Sequence, residues 1–409
     1  MTDPATVPRS AVPVRALTHL GRIPVQTFLA HHWQRRPMVI RQALSGFESP
    51  CTPAQLFELS TRDEVESRLI DRVGSRWRLR HGPFRHTRIP SRNRSGWTLL
   101  VQGVDLQLEA AADLIARFRF LPAARLDDLM VSYASDGGGV GPHVDSYDVF
   151  LLQALGQRRW RIERRPDTTC VAGLPIRQLA RFRPQHEWLL EPGDLLYLPP
   201  GVAHEGVAVG ECLTCSIGFR TPSWAELAAI WSELQSVESH TRSGVFRDAG
   251  LTASAHPARL PAGMIEQAHR QLLLRRPDRQ DVALALLRQL SEPKPHVTFE
   301  RPLRPMTAVR FADTVRRGGL HADRRTRMLY SDRTLGINGE LVPLPDPTER
   351  RLIRSLADRR VLPASFDKQP GGAPSAAMLT RLYEWYRAGW VHAISSVSSA
   401  DARRKQQSV

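Results

Sequence analysis

Between about residues 127 and 220, apolar and polar positions alternate in short runs broken by Gly and Pro, the signature of strands. The pattern predicts strands over Leu129–Ala134, Asp148–Ala154, Gln157–Ile162, Glu187–Leu190, Asp194–Leu198 and Cys212–Phe219. Many short strands at this spacing predict an all-β barrel or sandwich. Ahead of them a helical pattern runs from Val25 to Trp33, a strand follows at Arg-Arg-Pro-Met-Val-Ile-Arg, and Thr52-Pro53 opens another short helix. After Thr221-Pro222 the periodicity turns helical. Ser223 and Glu226 form a capping box at the head of a helix over Trp224–Val237, and further helices are predicted over 261–275 and 279–291. Ser-Glu-Pro-Lys-Pro-His at 291–296 reads as a linker. Beyond it come a strand pair, 328–330 and 335–343, with Asn338-Gly339 in its turn, and a helix capped by Asp346 with Pro347 at its first position. A last helix over Ala376–Arg387 ends at Gly389. Helices beside a β-hairpin are the parts of a winged-helix-like module.

Composition adds little to fold class but restricts the setting. No run approaches the roughly 20 apolar residues that a membrane helix needs, and the N-terminus has no apolar secretory core, so the cytoplasm is the expected compartment. Four cysteines make no disulfide framework. Cys212 and Cys215 form a C-x-x-C string, but on a strand their odd offset points the thiols to opposite faces, which predicts packing residues. The net charge of +16 favours polyanionic partners such as RNA or ribonucleoprotein.

The candidate chemistry sits in the strand-rich region. Gly137-Gly-Gly-Val-Gly-Pro-His143-Val-Asp145 precedes one strand, and Pro199-Pro-Gly-Val-Ala-His204 follows another. His143 and Asp145 are two apart, so in extended chain they share a face. Two imidazoles and one carboxylate cap one face of a metal and leave the remaining positions open, the facial triad of non-haem Fe(II) oxygenases. The competing reading is a barrel that binds a small molecule or holds a metal without oxidation. Metal cupins of that kind use H-x-H with a Glu a few residues on. Here Asp145 replaces the second His, and Val149 and Phe150 stand downstream. In Gln157-Arg-Arg-Trp-Arg-Ile162 the alternation places Arg158 on the face of Trp160 and Ile162, with Arg159 and Arg161 opposite. If the Trp/Ile face is interior, Arg158 is an inward cation, and such a charge requires a partner. A carboxylate co-substrate would supply one; an internal Asp or Glu is the alternative. Thr214 and Ser216, on one face of the last strand, could hydrogen-bond the same carboxylate.

The strings His143-Val-Asp-Ser-Tyr-Asp-Val-Phe-Leu-Leu-Gln, Gly156-Gln-Arg-Arg-Trp-Arg, Pro192-Gly-Asp-Leu-Leu-Tyr-Leu-Pro-Pro-Gly-Val-Ala-His204-Glu-Gly and Ser216-Ile-Gly-Phe-Arg resemble the JmjC-type ribosomal oxygenases, above all their bacterial arginyl-hydroxylase branch. Trp33-Gln-Arg-Arg-Pro-Met-Val-Ile-Arg and Glu66-Ser-Arg-Leu-Ile resemble the N-terminal part of the same family. The resemblance implies an α+β chain: a double-stranded β-helix (JmjC/cupin) domain with an N-terminal extension over 1–221, a helical dimerisation segment over 222–296, a winged-helix-like domain over 297–402 and a tail over 403–409. It implies His143, Asp145 and His204 as iron ligands, with Arg158 holding 2-oxoglutarate. The implied reaction consumes O2 and 2-oxoglutarate and hydroxylates an arginine of large-subunit ribosomal protein sixteen; the eukaryotic relatives act on histidine, and the residues here do not separate the two. Asp136, Tyr133, Tyr147 and Asp148 are the candidates for lining the substrate, although Asp148 equally suits capping a turn. A homodimer follows by analogy. The alternatives are a JmjC hydroxylase or demethylase of another basic protein, and a catalytically silent cupin–winged-helix regulator that binds nucleic acid.

Overall fold

The computed structural model describes residues 14–74, 76–238, 277–364, 366 and 374–394. The predicted helix over 261–275 and the tail lie outside them. The chain divides into two compact units, one comprising Met1–Thr221, Pro293–Thr326 and Pro345–Val409, the other Pro222–Glu292 and Arg327–Leu344.

In the first unit the strand-rich region forms a ten-stranded antiparallel sheet. In chain order, after a short pair β1 (His19–Leu20) and β2 (Ile23–Pro24), its strands are β3 (Met38–Ile40), β4 (Ser67–Val73), β5 (Arg76–His81), β6 (Trp97–Val101), β7 (Leu126–Ala134), β8 (His143–Val144), β9 (Val149–Glu163), β10 (His186–Leu190), β11 (Leu195–Leu198) and β12 (Ala203–Phe219). The main path runs β3-β11-β9-β12-β7-β6-β4-β5, with β10 on β9 and β8 on β12. The runs Asp148–Ala154 and Gln157–Ile162, expected as separate strands, are the two halves of β9. Gly156 joins them at φ +61°, where a Cβ would collide with the Glu211 carbonyl. One half pairs with β11 through Val149–Leu152, the other with β10 through Arg158–Ile162. The predicted strand Cys212–Phe219 is likewise the second half of β12, which begins at Ala203. A glycine at positive φ lets a long strand bend without ending, and local pattern cannot tell that bend from a turn.

Alternation then divides the side chains between two cores. Phe150, Leu152, Leu195, Tyr197, Leu213, Cys215 and Ile217 pack outward against the N-terminal elements, including Phe28 and Leu56. Val149, Leu151, Trp160, Ile162, Leu196 and Leu198 pack inward as a second cluster. Cys215 belongs to the outer core, whereas Cys212 packs with Ala134 and Ala208; both thiols are free and buried. The C-x-x-C string is packing, as the odd offset predicted.

Thr52 caps the helix Pro53–Leu59 with a full capping box to Gln55. Ser223 and Glu226 exchange the expected bonds at the head of Trp224–Glu238, and Asp346 caps Pro347–Arg359. The segment 291–296 is not a free tether: Lys294 Nζ lies 3.1 Å from Asp127 and 3.2 Å from Asp128. The stretch 335–343 is two strands, β15 (Thr334–Ile337) and β16 (Glu340–Pro343), which follow β14 (Met328–Ser331) in a three-stranded sheet. Asn338 and Gly339 turn between them at φ +48° and +86°. This sheet lies in the second unit with the helix Arg279–Ser291, where Gly336, having no side chain, closes on the Leu287 carbonyl. The helices Ala308–Gly318, Pro347–Arg359 and Ala376–Ala388 belong to the first unit, with a separate sheet of strands Gly319–Ala322, Val361–Pro363 and Val391–Ala393. The hairpin assigned from sequence to the C-terminal module is thus placed with the helical segment.

One buried carboxyl near β7 gives the fold a pH dependence. Asp105 accepts from Leu129 N at 2.8 Å, and burial together with neighbouring Asp128 pushes its pKa up to about 7. The folded state therefore binds more protons than the unfolded chain between the ordinary carboxyl value and about 7, and stability falls as pH rises through that window. Asp105→Asn keeps the acceptor and removes the charge. It is expected to flatten the decline and to exceed the parent by a few kcal/mol (order of magnitude) at pH 8, with little gain at pH 4. Urea midpoints at the two pH values check it; equal midpoints at pH 8 would refute it.

Candidate metal centre

β8 and β12 pair with His143 opposite His204. The rings stand 4.2 Å apart between centroids, and His204 Nε2 lies 3.7 Å from Asp145 Oδ2. One ligand atom from each of His143, Asp145 and His204 falls within 4.8 Å of the others, and this is the only such group of three among the described residues. Each imidazole is oriented by backbone. His143 Nδ1 is 3.0 Å from the Gly141 carbonyl and His204 Nδ1 is 3.2 Å from that of Val202. A carbonyl only accepts, so Nδ1 is the protonated nitrogen in both rings and Nε2 keeps its lone pair for a metal. Burial, then the nearby His143, holds the His204 pKa well below the usual imidazole value, so it is neutral. Burial also raises the Asp145 carboxyl. A cation bound between them would relieve that cost, and two neutral imidazoles with one carboxylate suit a borderline divalent metal.

The glycine-rich loop fits this geometry tightly. Gly137 N donates to Ala208 O at 3.0 Å, Ala208 N donates to Gly138 O at 2.9 Å, and a Cβ on Gly139 would meet Gly206 O at 2.5 Å. Larger side chains there would push the loop, and with it His143, off β12.

Arg158 points inward, 3% exposed, as strand alternation predicted. Its Nη1 donates to Ser132 Oγ (3.1 Å) and Thr214 Oγ1 (3.2 Å), and its Nη2 to Gly206 O (3.2 Å). The guanidinium lies over the Trp160 ring at 5.0 Å, and Trp160 packs 5.9 Å from His204. Among the described residues Nε has no hydrogen-bond partner and no carboxylate forms an ion pair with Arg158. Its pKa is lowered by burial. The internal Asp or Glu weighed as an alternative partner is absent among the described residues. Arg159 and Arg161, on the opposite face, pair with Glu187 and Glu205.

Thr214 is held by Gln153 as well as Arg158, and Ser216 is 8% exposed two residues along the same face. Sequence reasoning missed Ser132 and Gly206. Ser132 lies opposite Thr214 in the β7–β12 register. A Cβ on Gly206 would come within 2.6 Å of Arg158 Nε and 2.7 Å of the Trp160 ring, so only glycine leaves room for both.

The four substrate candidates separate. Tyr133 is fully buried in the outer core against Phe57 and Trp97, its hydroxyl donating to Glu211, so it does not line the centre. Asp148 is also fully buried; it accepts from Tyr197 Oη at 2.6 Å, from Gln34 and from Arg125, and ties β11 to the N-terminal segment. Both are corrected to structural roles. Asp136 is exposed, and its Oδ1 accepts from Gly210 N at 2.9 Å. Tyr147 is 40% exposed, two residues beyond Asp145, with its hydroxyl pKa raised by burial and then by the Asp145 charge.

Residues 113–227 match the family model described as the JmjC domain. The chain is 38% identical over 232 residues to the ribosomal protein uL16 3-hydroxylase of Escherichia coli K12, covering 56% of this chain and 61% of the relative. It is 34% identical over 210 residues to a probable ribosomal oxygenase of Haemophilus influenzae, covering 49% and 51%. The aligned segments thus span about half to three-fifths of these relatives' length. A solved structure of E. coli YcfD superposes with TM-score 0.80 at 29% identity, covering 92% of this chain and all of that one. Another, of E. coli YcfD with cobalt and 2-oxoglutarate, gives 0.78 at 29% identity over 91% and 99%.

Proposed function

We propose that the chain is a JmjC-type ribosomal oxygenase, an Fe(II)- and 2-oxoglutarate-dependent protein hydroxylase acting on an arginine of ribosomal protein uL16. One observation carries the reading: a buried guanidinium that has no carboxylate partner among the described residues, on the inward face that also carries the neutral His204. A buried cation is tolerated when a ligand supplies the counter-charge, and a guanidinium fork matches a carboxylate. A dicarboxylic co-substrate fits both ends, one carboxylate on Arg158, Ser132 and Thr214, the other toward the triad. His143, Asp145 and His204 would hold the metal.

Bound iron supplies the oxidation: O2 and 2-oxoglutarate become succinate and CO2, and one oxygen atom enters a C–H bond of the substrate. The protein's own contribution is positioning. Backbone carbonyls fix both imidazoles, Arg158 orients the diacid, and the apolar wall of Trp160, Ile162 and Leu196 keeps water from the reacting region. Of the substrate candidates, the proposal keeps exposed Tyr147 and Asp136, which offer an aromatic face and a carboxylate to an arginine side chain. Ser216, on the Thr214 face, stays as a secondary contact to the diacid.

We extend the reading to assembly. Trp224 is 86% exposed at the start of a helix whose Leu227, Ile230, Trp231 and Leu234 are half-buried, and its exposed indole offers an apolar contact to a second copy. The winged-helix-like domain expected over 297–402 is assigned to the helices Ala308–Gly318, Pro347–Arg359 and Ala376–Ala388 with their small sheet, and the cytoplasm is taken as the compartment where the substrate is made.

The test incubates full-length protein with Fe(II), ascorbate, 2-oxoglutarate and unmodified uL16. The expected result is a 16 Da gain on one arginine, matched by succinate, from a species sedimenting at twice the chain mass. Absence of succinate with every basic protein tried would sink the oxygenase reading. Succinate coupled to a different protein, with uL16 unchanged, would sink only the substrate.

A further inference from the structure

The chain's positive charge is concentrated in one place. From Ser67 to Gln102 there are nine arginines and a single carboxylate, Asp71, which accounts for half of the net charge of +16. This stretch forms the rim of the large sheet: β5 is its terminal strand and, among the described residues, pairs only with β4. Two of the arginines are neutralised, Arg92 by Glu211 and Arg94 by Asp71. Among the described residues no carboxylate lies within ion-pair distance of Arg72, Arg76, Arg78, Arg80, Arg85 or Arg88, and all but Arg80 are exposed.

The rim also carries an aromatic group. Trp77 lies opposite Arg72 in the β4–β5 register, half-buried, with the Arg72 guanidinium 5.7 Å from its ring. Alternation puts Arg68, Ile70, Arg72, Trp77 and Leu79 on one face, and Arg76, Arg78 and Arg80 on the other. Through the pairs Arg68–Leu100 and Leu100–Ser132, the Trp77 face is the one that carries Ser132 beneath Arg158. One face of the sheet therefore carries Ser132 and, nearer the edge, Arg68, Arg72 and Trp77.

We propose that this arginine-clad rim, β4–β5 with the following loop to Arg94, binds single-stranded RNA. Guanidinium forks grip phosphates, and Trp77 with Arg72 stacks a base. Acidic protein would satisfy the cations but not the stacking surface. Duplex would present neither an unstacked base nor a strand narrow enough to follow a sheet edge. A basic ribosomal protein would be repelled by the rim, so its contact is with the nucleic acid that accompanies such a substrate; this choice of RNA rests on the substrate class proposed above. Charge on an edge strand also hinders strand-to-strand association, but Glu would serve that purpose as well as Arg, which makes the two roles separable.

Fluorescence anisotropy of the full-length protein with a labelled 20-nucleotide single-stranded RNA, without metal or 2-oxoglutarate, tests it. With about four phosphates neutralised, log K should fall with log salt at a slope of roughly −3, or roughly 50-fold weaker binding from 50 to 200 mM salt. Arg76→Glu/Arg85→Glu/Arg88→Glu should weaken binding at least ~10-fold and flatten the slope by about 2, while remaining unaggregated and turning over 2-oxoglutarate like the parent. Trp77→Ala should cost about 5-fold or more with the slope unchanged. Polyglutamate or duplex DNA bound as tightly as RNA, or a charge-reversed rim that binds RNA like the parent, overturns the proposal. Because binding and turnover are read separately, failure of one leaves the other standing.

Discussion

Arg158→Met is expected to lower kcat/KM for 2-oxoglutarate by roughly 10²–10³-fold while leaving the barrel about as stable as before. The first part follows from the size of the interaction: truncating one member of a buried, hydrogen-bonded charge pair costs about 2–5 kcal/mol. The second follows from what Arg158 lacks without ligand. Its Nε has no acceptor among the described residues, and its other bonds go to two hydroxyls and a carbonyl. A methionine of similar length fills the space beside Trp160 and removes the desolvation cost of a cation. Against that, Gly206 O loses its donor, so the two changes offset. Arg158→Lys keeps the charge but not the fork, and should fall between the two proteins. Thermal shifts with and without 2-oxoglutarate provide a readout independent of turnover: the ligand should raise the parent's Tm and not that of the Met variant. A Met variant with unchanged 2-oxoglutarate affinity would remove Arg158 from the site.

How far the centre could be read from sequence depends on the range of the signal. His143 and Asp145 share a face because they are two apart on extended chain, and Arg158 is interior because it alternates with Trp160 and Ile162; both rules are local, and both hold. Ser132 is local only in part. Alternation sets it apart from Leu129, Val131 and Tyr133, which face the outer core, but its place beneath Arg158 depends on β7 lying beside β12, which no local pattern encodes. The same alternation, applied to Tyr133, places it on the wrong face for a substrate contact. Nearness in sequence misled there, and again at Asp148, where the chain has already turned from the centre toward Tyr197. Gly206 looks like any turn glycine until the space it leaves for Arg158 and Trp160 is seen. The bends at Gly156 and in β12 stay hidden for a related reason: a positive-φ glycine marks a break in pattern whether the strand ends or merely folds over. In the C-terminal part, helix caps were legible because each is a contact across three residues, whereas the sheet β14–β16 joins the helix Arg279–Ser291 through contacts such as Gly339 N to Ser291 Oγ, 48 residues apart.

His204→Ala should abolish the stabilisation that metal confers and reduce turnover by at least about 10³-fold. A metal present at 100 times its Kd stabilises the folded state by about 2.7 kcal/mol, and that increment is the quantity to follow. The absolute Tm of the variant is a poor guide, because His204 is also a buried side chain packed beside Trp160 and opposite His143, and truncating it loses contacts whether or not metal binds. The metal-induced shift cancels that packing loss, since it compares each protein with itself. His143 and Asp145 alone leave two ligands, too few to fix a cation against water. Arg158→Met offers the complementary control: it removes the diacid's anchor but none of the three ligands, so it should keep the full metal shift while losing the shift from 2-oxoglutarate. Should His204→Ala retain the metal increment, the cation is bound elsewhere, and the pairing of β8 with β12 serves the fold and not the chemistry.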